Sequence, residues 1–491
     1  MPLALAPWAA ALFAEEKRGR ALFSGVLLGI FFWCLSVPWV SFVVTRFGGQ
    51  PAWMGAVCVF LLSLILCEWP ALVGWIAVSA FPARSPARLA AFPLLWMASE
   101  HARSVAYKGF PWNLTANALA GHPAWLQTAS WWGAYGVGSL AAASGALVAS
   151  LFLFRGARRW AAAGAIVLGG MLLGAFGRWR MKSGDPSSAA AVRVACVQPN
   201  LPQSARETAE GAARQYETVI EAVRQAAARR PALILIPESS FYGATWQRSP
   251  ALRRDLSEIA AGSGASILFN DLDEESDDVY FNAARLVTPA GLASATYRKV
   301  HLVPFGEYVP LPRLFFFMKS ISRAVGSFSA APAPVVLSAA GLSLGPAVCY
   351  EMTYPSLARR EVRDGATLLV SISNDAWYGK AGAQEQHFES LVLRAIENGR
   401  PFARAAITGV SGVADSRGRI VARVPADVPG VAEAAVAPRS ERTVWSRWGG
   451  AVFPGIADSA AIAMVLSALA RARRQRSRKP PRGAIEGNRT S

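Results

Sequence analysis

The sequence predicts a polytopic α-helical membrane bundle joined to an α/β layered domain, and three observations carry that reading. First, 53% of the 491 residues are hydrophobic and only 17% are charged, against about a quarter in soluble domains. Mean hydropathy is +0.28. Second, long uncharged stretches recur: Ala21–Thr45 runs for 25 residues and Pro123–Phe154 for 32. A bilayer core needs about 20 apolar residues per helix. Third, the pattern changes between Gly184 and Glu441, where short apolar runs alternate with charged helical stretches. Disorder, collagen and a purely water-soluble enzyme are poor fits to this composition.

Seven apolar segments emerge in chain order: 2–14, 22–44, 52–80, 88–104, 130–154, 159–177 and 449–470. The first is short and the fourth ends at Glu100, so these two carry the weakest signal. Four basic groups punctuate them: Lys17-Arg18-Arg20, Arg84/Arg88, Arg155/Arg158/Arg159 and Arg471 onward. Basic loops favour the cytoplasmic face. Threading all four there puts the loops 45–51, 105–129 and 178–448 on the opposite side. It also puts the N-terminus outside, which suggests that a first helix is missing. The expected organisation is therefore about six transmembrane helices over 1–183, an extramembrane domain over 184–441, a last transmembrane helix over 442–470 and a basic cytoplasmic tail over 471–491.

The formal net charge of +18 raises the question of nucleic acid. Seven basic residues of that excess lie in the tail 471–482, with no aromatic among them. A solvated stop-transfer tail explains this better than a nucleic-acid site, so a membrane and no nucleic acid is the expected partner. The five cysteines suggest no disulfide framework, and the four histidines show no metal-ligand spacing.

Within 184–441, strands are predicted at Val192–Val197, Leu233–Ile236, Ala265–Phe269, Phe281–Val287, Ala293–Arg298, Leu344–Val348 and Thr367–Ile372. Val410–Ala414 and Ile420–Val424 read as a hairpin. Helices are predicted at Arg206–Arg229, Arg254–Ala261, Tyr354–Val362 and Phe388–Asn398. Wholly apolar strands such as ALILI imply sheets covered on both faces.

Three polar residues follow the carboxyl ends of strands, where α/β proteins place chemistry: Glu238, Lys299 and Cys349. A thiol at a helix start has its thiolate favoured by unpaired N–H groups, and a nearby ammonium would lower its pKa further. Glu, Lys and Cys suffice for covalent acyl transfer without histidine, metal or cofactor. Each residue taken singly also has a plain structural reading. Cys349 fits a small buried hydrophobe, Glu238 a cap and Lys299 a solvated side chain.

The longer motifs decide between these readings. Pro237-Glu238-Ser239, Tyr297-Arg298-Lys299, the run HLVPFGEYVP from His301, Cys349-Tyr350-Glu351 and Ser373-Asn374-Asp375-Ala376-Trp377 resemble the nitrilase (carbon–nitrogen hydrolase) superfamily. With Gly109-Phe110-Pro111-Trp112 between membrane segments, the chain resembles the apolipoprotein N-acyltransferase family over nearly its whole length. The resemblance implies an αββα sandwich on the periplasmic side of the bacterial inner membrane. It implies a catalytic triad of Glu238 as base, Lys299 as oxyanion stabiliser and Cys349 as nucleophile. A phospholipid would donate the acyl chain to Cys349, and a diacylglyceryl apolipoprotein would accept it, with the enzyme acting as a monomer. Glu307 would support the triad, Tyr350 and Glu351 match further functional positions, Asn282 matches a family asparagine, and Trp377 is a candidate that could equally be a core aromatic.

Two departures from the family pattern stand out. Arg206-Glu207 occupies the place of a usual Lys-Trp pair, and Ala405-Ala406-Ile407-Thr408 replaces a run that usually holds Asn. The apolar loop Leu311–Met318 is a candidate to dip into lipid or cover the site. A membrane-anchored amidase or nitrilase using the same triad is the alternative enzyme. A transporter or receptor with a degenerate sensor domain is the alternative class.

Overall fold

The computed structural model describes residues 2–183, 191–206, 208–276, 279–293, 295–308, 328–380, 382–450 and 452–477. All seven apolar segments are helical: Pro2–Ala14, Arg18–Ser36, Ala52–Leu66 with Glu68–Ala80, Pro86–Val105, Ala129–Leu153, Ala157–Lys182 and Val452–Ser477. Among the described residues, five spans are long and apolar enough to cross a membrane: 18–36, 52–80, 129–153, 157–182 and 452–471. The predicted stretch 22–44 is not one continuous helix. It stops at Ser36 and restarts at Trp39, with Pro38 between, where the missing N–H breaks the ladder. Pro86–Val105 buries Arg88, Glu100 and Arg103 on its inner face. Phe31, Leu35, Phe152 and Trp160, by contrast, point outward and are well exposed.

Arg88 ties several helix ends together at one end of the bundle. Its guanidinium donates to the carbonyls of Leu12, Phe13, Glu15 and Phe81. Arg471 donates to the carbonyl of Ala80 at the same end, and Phe13 packs edge-on to Phe154 at 5.4 Å. Helix ends leave orphan carbonyls that such donors satisfy. His101 and Asp458, 2.8 Å apart, join the final helix to the bundle nearer its other end.

The second region is built on two sheets. Strands β1 (Val192–Gln198), β2 (Leu233–Leu235), β3 (Ser266–Ser276), β4 (Val279–Thr288), β5 (Gly291–Leu292) and β6 (Tyr297–Arg298) belong to the first. Strands β7 (Leu337–Ala339), β8 (Leu342–Val348), β9 (Leu368–Ser373), β10 (Phe402–Ala406), β11 (Ser411–Ala414) and β12 (Ile420–Val424) make the second. β13 (Gly430–Val436) returns to the first sheet, antiparallel to β1. The orders are β13-β1-β2-β3-β4-β5, with β6 on β4, and β12-β11-β10-β9-β8-β7. Central pairs are parallel and outer pairs antiparallel.

Period-two alternation sorts the side chains. Val194, Cys196, Leu233 and Leu235 point into a core shared with Leu344, Leu369 and Ala403 of the other sheet. Ala195, Val197, Ile234 and Ile236 point the other way, onto Val219, Val223, Leu252 and Leu256 of the helices Ala209–Ala227 and Pro250–Ser263. The helices Pro355–Arg363 and Ala383–Asn398 bury side chains in the shared core from the opposite side. The domain is thus an αββα sandwich. The strand expected over 293–298 forms only at Tyr297–Arg298. β5, β7, β10 and β13 were not anticipated.

The bundle and the sandwich share an interface formed largely by the Ala383–Asn398 helix, which is buried along most of its length. Trp112 Nε1 donates to Gln386 Oε1 at 2.8 Å, and Gln386 Nε2 donates to the carbonyl of Ser36 at 3.1 Å. Asn117 Nδ2 donates to Ser390 Oγ at 3.1 Å, and the Ala134 N–H donates to Glu397 at 2.7 Å. The helix ends that meet the sandwich are opposite to those gathered by Arg88.

Candidate active site

Glu238 lies just beyond β2, Lys299 directly after β6 and Cys349 directly after β8. The first two belong to one sheet and the third to the other, so the site sits across the sandwich at strand carboxyl ends. All three are buried, Lys299 to 1% exposure.

A polar chain connects Glu238 and Lys299. Lys299 Nζ donates to Glu307 Oε1 at 2.9 Å. Asn282 Nδ2 donates to the same Glu307 oxygen at 2.8 Å and to Glu238 Oε1 at 2.9 Å. The second oxygen of Glu238 accepts the Asn374 N–H at 2.9 Å, a bond from the end of β9 that crosses between sheets. Glu307 is itself fixed by the Val303 N–H at 2.8 Å. Asn270 Nδ2 donates to Asn282 Oδ1 at 2.7 Å, and its Oδ1 accepts the Ser239 N–H at 2.9 Å. Glu238, Lys299, Glu307 and Asn282 are therefore brought together as one network.

Glu351 occupies a different place. Its carboxylate accepts the N–H groups of Val300, His301 and Val348 and the Tyr297 hydroxyl, at 2.7 to 2.9 Å. It pins the loop after Lys299 to the turn that holds Cys349. Full burial raises its pKa to about 7, against the opposing pull of Lys299 and these donors. Tyr350 stacks on Trp112 at 6.1 Å and 14° and lies 6.3 Å from Phe110, so it faces the bundle. Trp377 packs on Phe47 at 4.5 Å and enters none of the polar bonds just described.

Electrostatics modify one expectation from the sequence. The Cys349 thiol is pushed above its ordinary pKa, first by burial and then by Glu238; Lys299 pulls the other way without prevailing. The helix-start and ammonium effects that predicted a resting thiolate are outweighed, because a low-dielectric site penalises the charged form. At neutral pH Cys349 is a thiol and needs a base. Lys299 is the reverse case. Burial opposes its charge, but the carboxylates of Glu307, Glu238 and Glu351 outweigh it and hold the ammonium above its ordinary value.

Several contacts at the site escaped the sequence reading, although Asn282 and Asp375 are named in it. Tyr378 places its hydroxyl 4.0 Å from Cys349 Sγ. His387 Nε2 lies 3.0 Å from the Cys349 carbonyl oxygen. Asp375 and Arg404 form an ion pair behind it, both fully buried. Asn270 and Asn282 meet only through the β3–β4 register, which pairs Leu272 with Asn282. Trp112 was visible in the Gly109-Phe110-Pro111-Trp112 motif, although its contact with Tyr350 was not. The loop Leu311–Met318 lies outside the described residues, as does Glu207; Arg206 ends a short turn at Gln203–Arg206.

Fold and site together define a membrane-associated enzyme of the carbon–nitrogen hydrolase class. The carbon–nitrogen hydrolase family profile matches residues 193–444, and the apolipoprotein N-acyltransferase N-terminal domain profile matches residues 1–147. The apolipoprotein N-acyltransferase of Geobacter metallireducens is 31% identical over 465 residues, covering 91% of this chain and 87% of its own. That of Methylococcus capsulatus is 32% identical over 467 residues, covering 91% and 90%. The chain belongs to the apolipoprotein N-acyltransferase family. Among solved structures, an amidase of the nitrilase superfamily from Nesterenkonia AN1 superposes with a TM-score of 0.40 at 20% identity, covering 51% of this chain and 92% of its own.

Proposed function

We propose that this chain transfers an acyl chain from a phospholipid to the N-terminal amine of a diacylglyceryl apolipoprotein, through a thioester on Cys349. The curated relatives bear the name of that transferase. The observation that carries the reading is where the nucleophile sits: Tyr350, its neighbour in the chain, stacks on Trp112 of the membrane region. Both substrates are lipids anchored in a bilayer. Drawing an acyl chain into water costs about 0.8 kcal/mol per CH₂, and a site seated on the bundle avoids that cost.

The steps follow from the resting protonation states. Glu238 takes the Cys349 proton as sulfur attacks the ester carbonyl of the donor. The carbonyl oxygen becomes an oxyanion beside Lys299, the type of electrostatic stabilisation that dominates acyl transfer. Collapse breaks the ester C–O bond, Glu238 returns the proton to the glycerol oxygen, and a lysophospholipid leaves. The acceptor amine then attacks the thioester and gives its proton to Glu238. The C–S bond breaks, sulfur takes the proton, and an amide remains. Glu307 and Asn282 hold Lys299 and Glu238 in position, Glu351 holds the two loops together, and Tyr350 and Trp377 line the side toward the bundle. No step calls for a metal or cofactor.

One chain holds the triad and the bundle, so a monomer suffices. Arg88 and Arg471 lie at the bundle end away from the sandwich. With that end cytoplasmic by the positive-inside rule, the sandwich would face the periplasm across the inner membrane. The test supplies labelled phospholipid and a diacylglyceryl-cysteine peptide to protein in detergent. Amide formation with the free N-terminus, and none with an N-acetylated peptide, is expected. Fatty acid released to water at one rate with or without peptide would instead favour a hydrolase.

A further inference from the structure

Cys349 adopts φ = +57°, a conformation that is strained for a non-glycine residue and persists only where its surroundings enforce it. The preceding β8 places Val348 in regular strand geometry and the following residues enter a short 3-10 turn. Something must therefore hold the peptide plane after Cys349. His387 Nε2, 3.0 Å from the Cys349 carbonyl oxygen, is the side chain placed to do so.

The hydrogen-bond pattern fixes which nitrogen of His387 carries the proton. Nδ1 lies 3.1 Å from both Asp375 Oδ1 and a guanidinium nitrogen of Arg404. A backbone carbonyl can only accept, so the 3.0 Å contact with Cys349 places a proton on Nε2. Nε2–H then donates to the Cys349 carbonyl. Arg404 also pairs with Asp375, which accepts the Ser373 hydroxyl at 2.6 Å. The imidazole is held on its faces as well: Trp112 lies 5.5 Å away and Tyr378 6.0 Å, ring to ring. His387, Asp375 and Arg404 are all fully buried.

We propose that His387 is a positioning residue for the nucleophile: its Nε2–H, oriented by the Arg404–Asp375 pair, clamps the Cys349 carbonyl and so keeps Sγ aimed between Glu238 and Lys299. This rests on Cys349 being the acylated residue. His387 exchanges no proton with substrate; it acts through the backbone. Its helix is also the one that docks the sandwich on the bundle through Gln386 and Ser390. The clamp and the membrane contact are thus made from a single rigid element.

The test compares His387→Gln with His387→Asn, read as the single-turnover rate of acyl-enzyme formation from labelled phospholipid in detergent. A glutamine amide nitrogen reaches the place of Nε2, whereas an asparagine amide falls short by one methylene. Glutamine is expected to stay within about threefold of wild type, and asparagine to lose at least tenfold in rate. The KM for phospholipid should remain unchanged in both, since neither touches the lipid. Equal rates in Gln and Asn variants of equal melting temperature would overturn the proposal, because reach to the carbonyl would then not matter. If Asn proves too unstable, His387→Met, which fills the volume without a donor, takes its place under the same criterion. Absence of any acyl-enzyme in wild type would count against the thioester reading itself, so the two failures are distinguishable.

Discussion

The bundle and the sandwich solve opposite solvent problems. In the bundle, large apolar side chains such as Phe31, Leu35 and Phe152 face outward, while Arg88, Glu100 and Arg103 turn inward. In the sandwich, the apolar residues are layered inside between sheets and helices. There two of the buried charges at strand ends find several partners: Glu307 holds Lys299 and Asn282, and Glu351 accepts four donors. Inverted surfaces are what a lipid solvent and water respectively select. The difference assigns location to one region and chemistry to the other. The Ala383–Asn398 helix, the seam between them, belongs to both.

If that division holds, breaking the chemistry should leave insertion intact. The largest effect is expected from Cys349→Ser, which should abolish acyl transfer while the protein still fractionates with membranes and resists alkaline extraction. Loss of membrane association in this variant would contradict the division. Next come Glu238→Gln and Lys299→Ala, each expected to slow acyl-enzyme formation by about 10²–10³-fold, the scale of a lost general base or oxyanion donor. Single-turnover labelling measures both, and near-normal rates would remove the residue from its assigned role.

A change at the seam should show in both regions. Trp112→Ala removes a fully buried indole that touches Tyr350, Tyr378 and His387. Truncations of this kind cost about 3–5 kcal/mol, so the melting temperature in detergent should fall and protease should cut more readily between the regions. A Trp112→Ala variant with unaltered melting temperature would mean that the seam contributes little.

The smallest effect concerns thiol titration. Because burial and Glu238 hold the Cys349 pKa above its ordinary value, alkylation by iodoacetamide should keep rising above pH 9 rather than level off near neutrality. Glu238→Gln removes a carboxylate that opposes the thiolate, so its profile should shift to lower pH. Lys299→Ala removes the favouring ammonium and should shift it to higher pH. A plateau near neutral pH in wild type would show that the resting residue is a thiolate after all.

Much of this division was legible in the sequence, for physical reasons that differ by region. A span announces itself through 18 or more uncharged residues, and β1, β2 and β9 through short, mostly apolar runs. β10 and β13 escaped because FARAA and GVAEAAV are rich in alanine and charge. Their strand geometry comes from pairing with β9 and β1 rather than from local preference. Glu238, Lys299 and Cys349 were readable as candidates because each follows the end of a strand and the motifs around them are long. His387 was not. Residues 349 and 387 meet only because the helix beginning at Ala383 packs against β10, β11 and the turn Cys349–Thr353, and a lone histidine in a helix carries no spacing signal. The thiol pKa was missed for a related reason: burial is a property of the assembled site.

The most direct measurement incubates the purified protein with acyl-labelled phospholipid, without acceptor, and maps the label by mass spectrometry before and after hydroxylamine. One hydroxylamine-labile acyl group on the peptide containing Cys349, discharged by a diacylglyceryl-cysteine peptide, is the expected result. A label on another residue, a label that persists in Cys349→Ser, or no label while acyl transfer proceeds would contradict a thioester at Cys349.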